Sequence, residues 1–308
     1  MDQPIGHITR LRLYPIRPLW SLGAGWAAVC GGLAAAGFPL SLVTLLNLAL
    51  VWFLADPILG VVWDVGVGSA HHGGIWRRLV DAGLPDAAPA VGLLPYTQAG
   101  SPGYRLANRL GRLRRWWRDT LRPEAGREVA TLVAGLVLAI LLGVILGRYV
   151  LILALVSVLL SWLAMLSEKR DAAGDTRHTE GTTLWRALGQ FGVPWLIGVA
   201  AMGGPSQAAA LLGICYTITF FGLIRPTRSF RLIGAGQATA ALLLAGLRQP
   251  MAAGAAAVLL MPQWGLYTWT AQLSEASGDQ VAGWDRYLRY AQPFILVSML
   301  IAALALAT

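Results

Sequence analysis

The sequence predicts an all-α integral membrane protein, a bundle of nine apolar helices. Its composition, the length of its apolar runs and the sidedness of its charge all point there. Of 308 residues, 56% are apolar and 13% charged, against roughly 45–50% and 25% in soluble domains. Mean hydropathy is +0.60. A net charge of +9 would suit nucleic acid if the arginines lined an exposed face of a soluble module. They lie instead between hydrophobic runs, where they act as topology signals, and no nucleic-acid partner is expected.

A helix needs roughly 20 apolar residues to cross the hydrocarbon core. The runs at 19–36, 39–55, 129–147, 149–166, 188–202, 208–223, 232–247, 251–269 and 291–307 qualify or nearly do, the short ones through tilt or local thinning. Lys and Arg then alternate strictly. The N-terminal arm holds three, the 57–128 loop ten, 167–187 four, 224–231 three and 270–290 two. Of 24 cations, 22 fall on one side and only Arg148 and Arg248 on the other. This asymmetry places the N-terminus in the cytoplasm and the C-terminus outside, in a bacterial-type inner membrane. Arg10, Arg12 and Arg17 precede a run without a small-residue cleavage site, so the N-terminus is expected to be retained. The outer connections at 147–148, 203–207 and 248–250 allow only tight hairpins, which leaves the chemistry to the cytoplasmic side.

An ionisable group at membrane depth is expensive and usually functional. Only 15 acidic residues are present, and Asp56 and Asp64 close the second run. If the helix continues past Asp56, positions 56, 60 and 64 fan across about 80° of one face. Two carboxylates there could share a hard cation such as Mg²⁺, with further oxygens from a substrate phosphate. The competing expectation is that Asp56 caps a new helix with Pro57 at its first position. After the fourth run, Lys169, Arg170 and Arg177 could grip a diphosphate, or simply belong to a solvated positive-inside loop.

In the long loop, Leu106, Leu110, Leu113 and Trp117 share a helical face over 104–118, with arginines elsewhere. That pattern predicts an interfacial helix on the anionic inner leaflet, with membrane lipid as its partner. Residues 83–103, rich in Pro, Gly and Ala, read as an irregular surface loop. His71 and His72 have no companion at ligand spacing. Cys30 and Cys215 lie inside apolar runs, as small hydrophobes do. There is no Walker-type phosphate loop, no G-x-S-x-G elbow and no Cys/His zinc spacing. Most of the 13 tryptophans suit interfacial anchors, among them Trp20, Trp116, Trp117, Trp185 and Trp269.

Several of these features together resemble the UbiA-type intramembrane prenyltransferase superfamily, over nearly the whole chain. They are Arg17-Pro18 before the first run, the small residues Gly23-Ala24-Gly25 through Cys30-Gly31-Gly32, and the acidic patch ending the second run. Lys169-Arg170 followed by Leu188-Gly189, Arg231-Leu232-Ile233-Gly234, and the closing run after Pro293 complete the likeness. Within the superfamily the chlorophyll synthase branch looks nearest, on Trp26 to Gly31, Gly37 to Leu40 and Pro293 to Leu304. The resemblance implies a nine-helix bundle around a lipid-open cavity capped by cytoplasmic loops. It implies Mg²⁺ and two aspartate-rich motifs holding a prenyl diphosphate while a lipophilic acceptor, a quinone precursor or chlorophyllide, attacks its C1. Carried onto this chain, the metal and catalytic residues are Asp56 and Asp64, and the diphosphate ligands Lys169, Arg170, Arg225 and Arg228.

The chain departs from the family pattern in two places. Against N-D-x-x-D-x-x-x-D, Asp64 matches the last aspartate, while Asp56, Pro57 and Gly60 stand for the asparagine and the first two aspartates. Between the sixth and seventh runs, where the second motif belongs, residues 220–231 contain no acid, and the spacing of Asp171 and Asp175 falls after the fourth run instead. An active prenyltransferase and a catalytically degenerate relative therefore both remain open. The latter would bind an isoprenoid, quinone or pigment within a larger membrane complex. A transporter would show an inverted repeat and paired broken helices, and neither is seen in the sequence.

Overall fold

A computed structural model describes residues 23–37, 39–64, 109–112, 114–118, 122–171, 179–203, 206–225, 229–277 and 280–308. Among them every regular element is helical. α1 is Ala24–Ala36; α2 runs Leu42–Phe53, passes through a π-helical turn at Leu54–Ile58 and ends as Leu59–Trp63. α3 is Arg122–Leu146 and α4 Arg148–Asp171. α5 joins Thr179–Ala187, a second π turn Leu188–Gly192, and Val193–Ala201. α6 (Gln207–Ile224), α7 (Phe230–Gly246), α8 (Pro250–Ser277) and α9 (Gln280–Ala307) follow.

The segments Leu42–Trp63, Val129–Leu146, Arg148–Ser167, Gln207–Ile224 and Arg286–Ala307 are long and apolar enough to cross a bilayer. The chain is thus a multi-pass membrane protein. The remaining expected spans fall in helices that are shorter, as in α1 and α7, or interrupted by polar residues, as at Gln190 in α5 and Gln263 in α8. Much of α3 and α4 faces outward, with Val144, Ile145, Leu155, Leu159 and Trp162 all more than 44% exposed. In a membrane that is the lipid face, where no water penalises apolar surface.

Helices extend further than the apolar runs suggested. The expected connection over 270–290 is helical at 270–277 and again at 280–290. The reason is amphipathic spacing: Trp284, Tyr287 and Ala291 are buried while Arg286, Arg289 and Tyr290 are exposed, a helical stripe continuing beyond the hydrophobic core. Within the expected interfacial helix, 109–112 and 114–118 are helical, with Leu110 and Trp117 exposed. The rest of it, the 83–103 loop, His71 and His72 lie outside the described residues.

Two apolar cores meet at a seam. One gathers side chains from α1, from Leu48 of α2 and from α5 to α9, the other from α1 to α5, so α1 and α5 contribute to both. Glycine makes their contact close. A Cβ at Gly31 would collide with the Trp195 carbonyl, and one at Gly198 with the Ala28 carbonyl. Small residues that let backbones approach are how helices gain packing energy in lipid, where burial from water contributes little. The Trp195 indole also donates to the Ala209 carbonyl at 2.8 Å, and Tyr216 pairs with Ser298 at 2.9 Å, tying α6 to α5 and α9.

Between α7 and α8, Gln237 and Gln263 exchange two amide hydrogen bonds of 2.8 Å while fully buried. Gln237→Leu alone is expected to destabilise by about 1–2 kcal/mol, since Gln263 is left with an unmet buried donor or acceptor. Gln237→Leu/Gln263→Leu should recover most of that loss. Denaturant unfolding of both variants in micelles measures it, and a double variant as weak as the sum of its singles would show the pair to be uncoupled.

The turn from α7 to α8 sets Arg248 at φ 62°, the one left-handed non-glycine residue among those described. Side chains there cost roughly 1–2 kcal/mol, which a glycine's extra chain entropy partly offsets. Arg248→Gly should therefore melt at or slightly above the parent temperature. Arg248→Val should melt lower, because a β-branched side chain fits that conformation worst.

Candidate functional site

Asp56 caps no helix. The helical backbone runs from Leu42 through Asp56 and Pro57 to Trp63, with only the π turn at Leu54–Ile58 interrupting the α geometry. Proline explains the interruption. Pro57 has no N–H for the Phe53 carbonyl, and its ring would crowd that oxygen in a regular α turn. A π turn absorbs the extra residue, and such turns often mark functional sites. The π turn of α5, Leu188–Gly192, likewise precedes a proline, Pro194, which supplies no N–H to the Gln190 carbonyl.

The two π turns face each other across one recess. Asp56, Gly60 and Asp64 line it from α2, Ala24 from α1, and Gly189 with Gln190 from α5, around about 50 Å³. The expectation that 56, 60 and 64 share a face is met. Gly25 makes room for this: a Cβ there would lie 2.5 Å from the Trp52 Nε1 and 3.0 Å from the Asp56 Cβ. Gly189 does the same for Trp63, whose ring occupies the place a Cβ would need. The Trp63 indole donates to the Ser157 Oγ at 3.2 Å, fixing that wall against α4. At Gly60, by contrast, a Cβ would meet nothing within 4 Å among the described residues.

Gln190 also lines a second, larger cavity of about 190 Å³ between α5, α6 and α9. Phe220, Leu223 and Ile224 bound it from α6, and Leu288, Gln292 and Ile295 from α9. Phe220 is backed by Phe191, the rings stacked at 5.0 Å. An acidic recess and an apolar cavity thus adjoin at one glutamine.

The basic candidates divide. Arg225 follows Ile224 at the end of α6, its guanidinium 5.9 Å from the Phe221 ring centroid. Lys169 and Arg170 fall in the last turn of α4, but their side chains, like Arg177, Asp175 and Arg228, lie outside the described residues. Hence the structure brings Asp56 and Asp64 to one recess, while Arg225 stands at the end of α6, one residue beyond the cavity-lining Ile224. Among the described residues no three metal-ligating side chains gather. A hard cation held by Asp56 and Asp64 would take its remaining oxygens from water and a phosphate, as Mg²⁺ commonly does. Around Arg225 the 220–231 segment has no carboxylate for a second. Cys30 and Cys215 are buried thiols in α1 and α6.

Gln190 was not among the residues singled out from sequence. Its signal was present: an amide inside an apolar run is a polar group at membrane depth, which needs a partner or a purpose.

Fold and site together define a multi-pass α-helical membrane protein with an acidic recess and a mostly apolar cavity that share Gln190. Comparison with protein-family models, with curated proteins and with solved structures returns no match.

Proposed function

We propose that the chain is an intramembrane prenyltransferase of the UbiA type, moving an isoprenoid chain from a prenyl diphosphate to a quinone precursor or chlorophyllide. One observation carries this: Asp56 and Asp64 line a recess that shares Gln190 with an apolar cavity. A prenyl diphosphate has the matching polarity, one end polyanionic and the other hydrocarbon. The topology belongs to the same proposal. Nine spans with a cytoplasmic N-terminus put Asp64, Lys169, Arg170, Arg225 and Arg228 on one side, where a water-soluble diphosphate head enters.

On this reading Asp56 and Asp64 hold Mg²⁺, which when bound neutralises charge on the departing diphosphate. Arg225, with Lys169, Arg170 and Arg228, binds diphosphate oxygens. The C1–O bond breaks with its electron pair leaving on the diphosphate. The acceptor's nucleophilic atom bonds to C1, and the proton it loses passes to diphosphate or solvent. Trp63, Leu59 and Phe220 keep water from the allylic cation, which would otherwise be hydrolysed.

A second reading, a non-catalytic subunit that binds an isoprenoid, quinone or pigment in a larger complex, is favoured by the acid-free 220–231 segment. Incubating the purified chain with labelled geranylgeranyl diphosphate, Mg²⁺ and candidate acceptors separates the two. Prenylated product that disappears in Asp64→Ala supports the enzyme. No product from the parent chain, together with a stoichiometric co-purifying quinone or pigment, supports the binder.

A further inference from the structure

The larger cavity restricts what the acceptor can be. None of the described residues lining it is charged, and its polar groups are the amides of Gln190 and Gln292. A carboxylate placed there would be desolvated with no cation among the described lining residues, which costs several kcal/mol. Volume restricts it further. A cavity of roughly 150 Å³ lined by apolar side chains holds benzene, so about 190 Å³ is room enough for one substituted ring. The stacked Phe191 and Phe220 rings offer the flat wall on which such a ring packs, by offset stacking or edge to face.

Gln190 supplies the registration. It borders both the acidic recess and the cavity. Its side-chain amide makes no hydrogen bond among the described residues, whereas the buried amides of Gln237 and Gln263 satisfy each other. An amide both donates and accepts, so it serves a phenol hydroxyl or a quinone carbonyl alike.

We propose that Gln190 positions and selects the acceptor, hydrogen-bonding an oxygen of an uncharged, single-ring phenol or hydroquinone whose ring lies against Phe220. This rests on the transferase reading and narrows it. It sets aside chlorophyllide and carboxylate-bearing rings as acceptors. An oxygen held at Gln190 puts the ring at the boundary with the recess, where the C1 end of a diphosphate bound by Asp56 and Asp64 would arrive.

The test uses the full chain in lipid nanodiscs and measures two affinities by calorimetry, for methylhydroquinone and for geranylgeranyl diphosphate with Mg²⁺. Gln190→Leu is expected to weaken methylhydroquinone about three- to tenfold, the worth of one net hydrogen bond, and the diphosphate, whose recess it also borders, by less. Gln190→Asn, which keeps an amide, should recover part of the loss, and Phe220→Leu should also weaken the ring alone. Retained diphosphate binding reports an intact fold. Equal loss of both ligands in Gln190→Leu, or no loss of either, overturns the assignment. So does binding of 4-hydroxybenzoate or chlorophyllide as tight as that of methylhydroquinone. If methylhydroquinone binds through Gln190 but the diphosphate does not bind at all, the transferase reading fails while the recognition role of Gln190 stands.

Discussion

Gly198→Ala is expected to lower stability by at least about 3 kcal/mol, and Gly198→Val to leave no monodisperse protein after extraction. Added methylenes in a packed core typically cost about 1–3 kcal/mol when neighbouring side chains can shift. Here the added atom would strike the Ala28 carbonyl and crowd the Gly32 nitrogen at 2.6 Å, and no rotamer change moves a backbone. α1 and α5 would have to separate. Because both helices serve both cores, separation loosens the whole bundle rather than one contact. Gly31→Ala meets the Trp195 carbonyl and should fail in the same way. Gly234 and Gly254 are the controls. A Cβ there has nothing within 4 Å, so alanine should be neutral or gain up to about 1 kcal/mol of helix propensity. Thermal melts and size-exclusion profiles of the four alanine variants decide the matter. Gly198→Ala melting with the parent chain would mean that the seam does not hold the two cores together.

Hydropathy read from the sequence locates α3, α4 and α6 to within a residue or two at their lipid-crossing ends, because those helices are apolar on all sides. It fails where a helix leaves the hydrocarbon yet stays amphipathic. Helix α9 begins at Gln280 rather than near 291, and α5 begins at Thr179 rather than 188, since an apolar average cannot register a stripe of Trp284 and Tyr287 between arginines. It also misjudges Asp56-Pro57. The pair has the chemistry of a helix start, and local sequence favours that outcome. Packing decides otherwise: Leu54, Ala55, Ile58 and Leu59 are all buried, so burial on both sides of the proline holds the helix together through a π turn.

The candidate site was legible only in its charged half. Carboxylates in an apolar run stand out by their cost, and the spacing of 56, 60 and 64 implies a shared face. The opposite wall depends on which helix packs against that face, a tertiary fact absent from local sequence. Gly189 and Gln190 therefore become site residues only once α5 is seen to present its π turn to α2. Gly189 was noted in sequence for its family likeness; its structural reason is the Trp63 ring.

Gly60 supports the second prediction of large effect. In the family motif that this segment resembles, a carboxylate stands where Gly60 does, and no described residue lies within 4 Å of a Cβ built there. Gly60→Asp should therefore bring a third carboxylate into the recess without a steric penalty. Three carboxylates facing each other repel in the absence of a cation and chelate a hard one when it is supplied. The variant is expected to melt below the parent chain in EDTA and to be restored by millimolar Mg²⁺, because a ligand bound only by the folded state stabilises it. It should also bind Mn²⁺ at least about tenfold more tightly, read by loss of the free-ion EPR signal, since hard-cation sites tighten with carboxylate count. Asp64→Asn and Asp56→Asn should move the other way, each weakening Mn²⁺ and reducing any prenyl transfer by about 10²-fold or more, the usual scale for losing one preorganised electrostatic contact. If Gly60→Asp shows neither cation-dependent melting nor tighter Mn²⁺, the recess does not gather its carboxylates on a common ion. The basic residues around Arg225 would then have to hold a diphosphate without a metal.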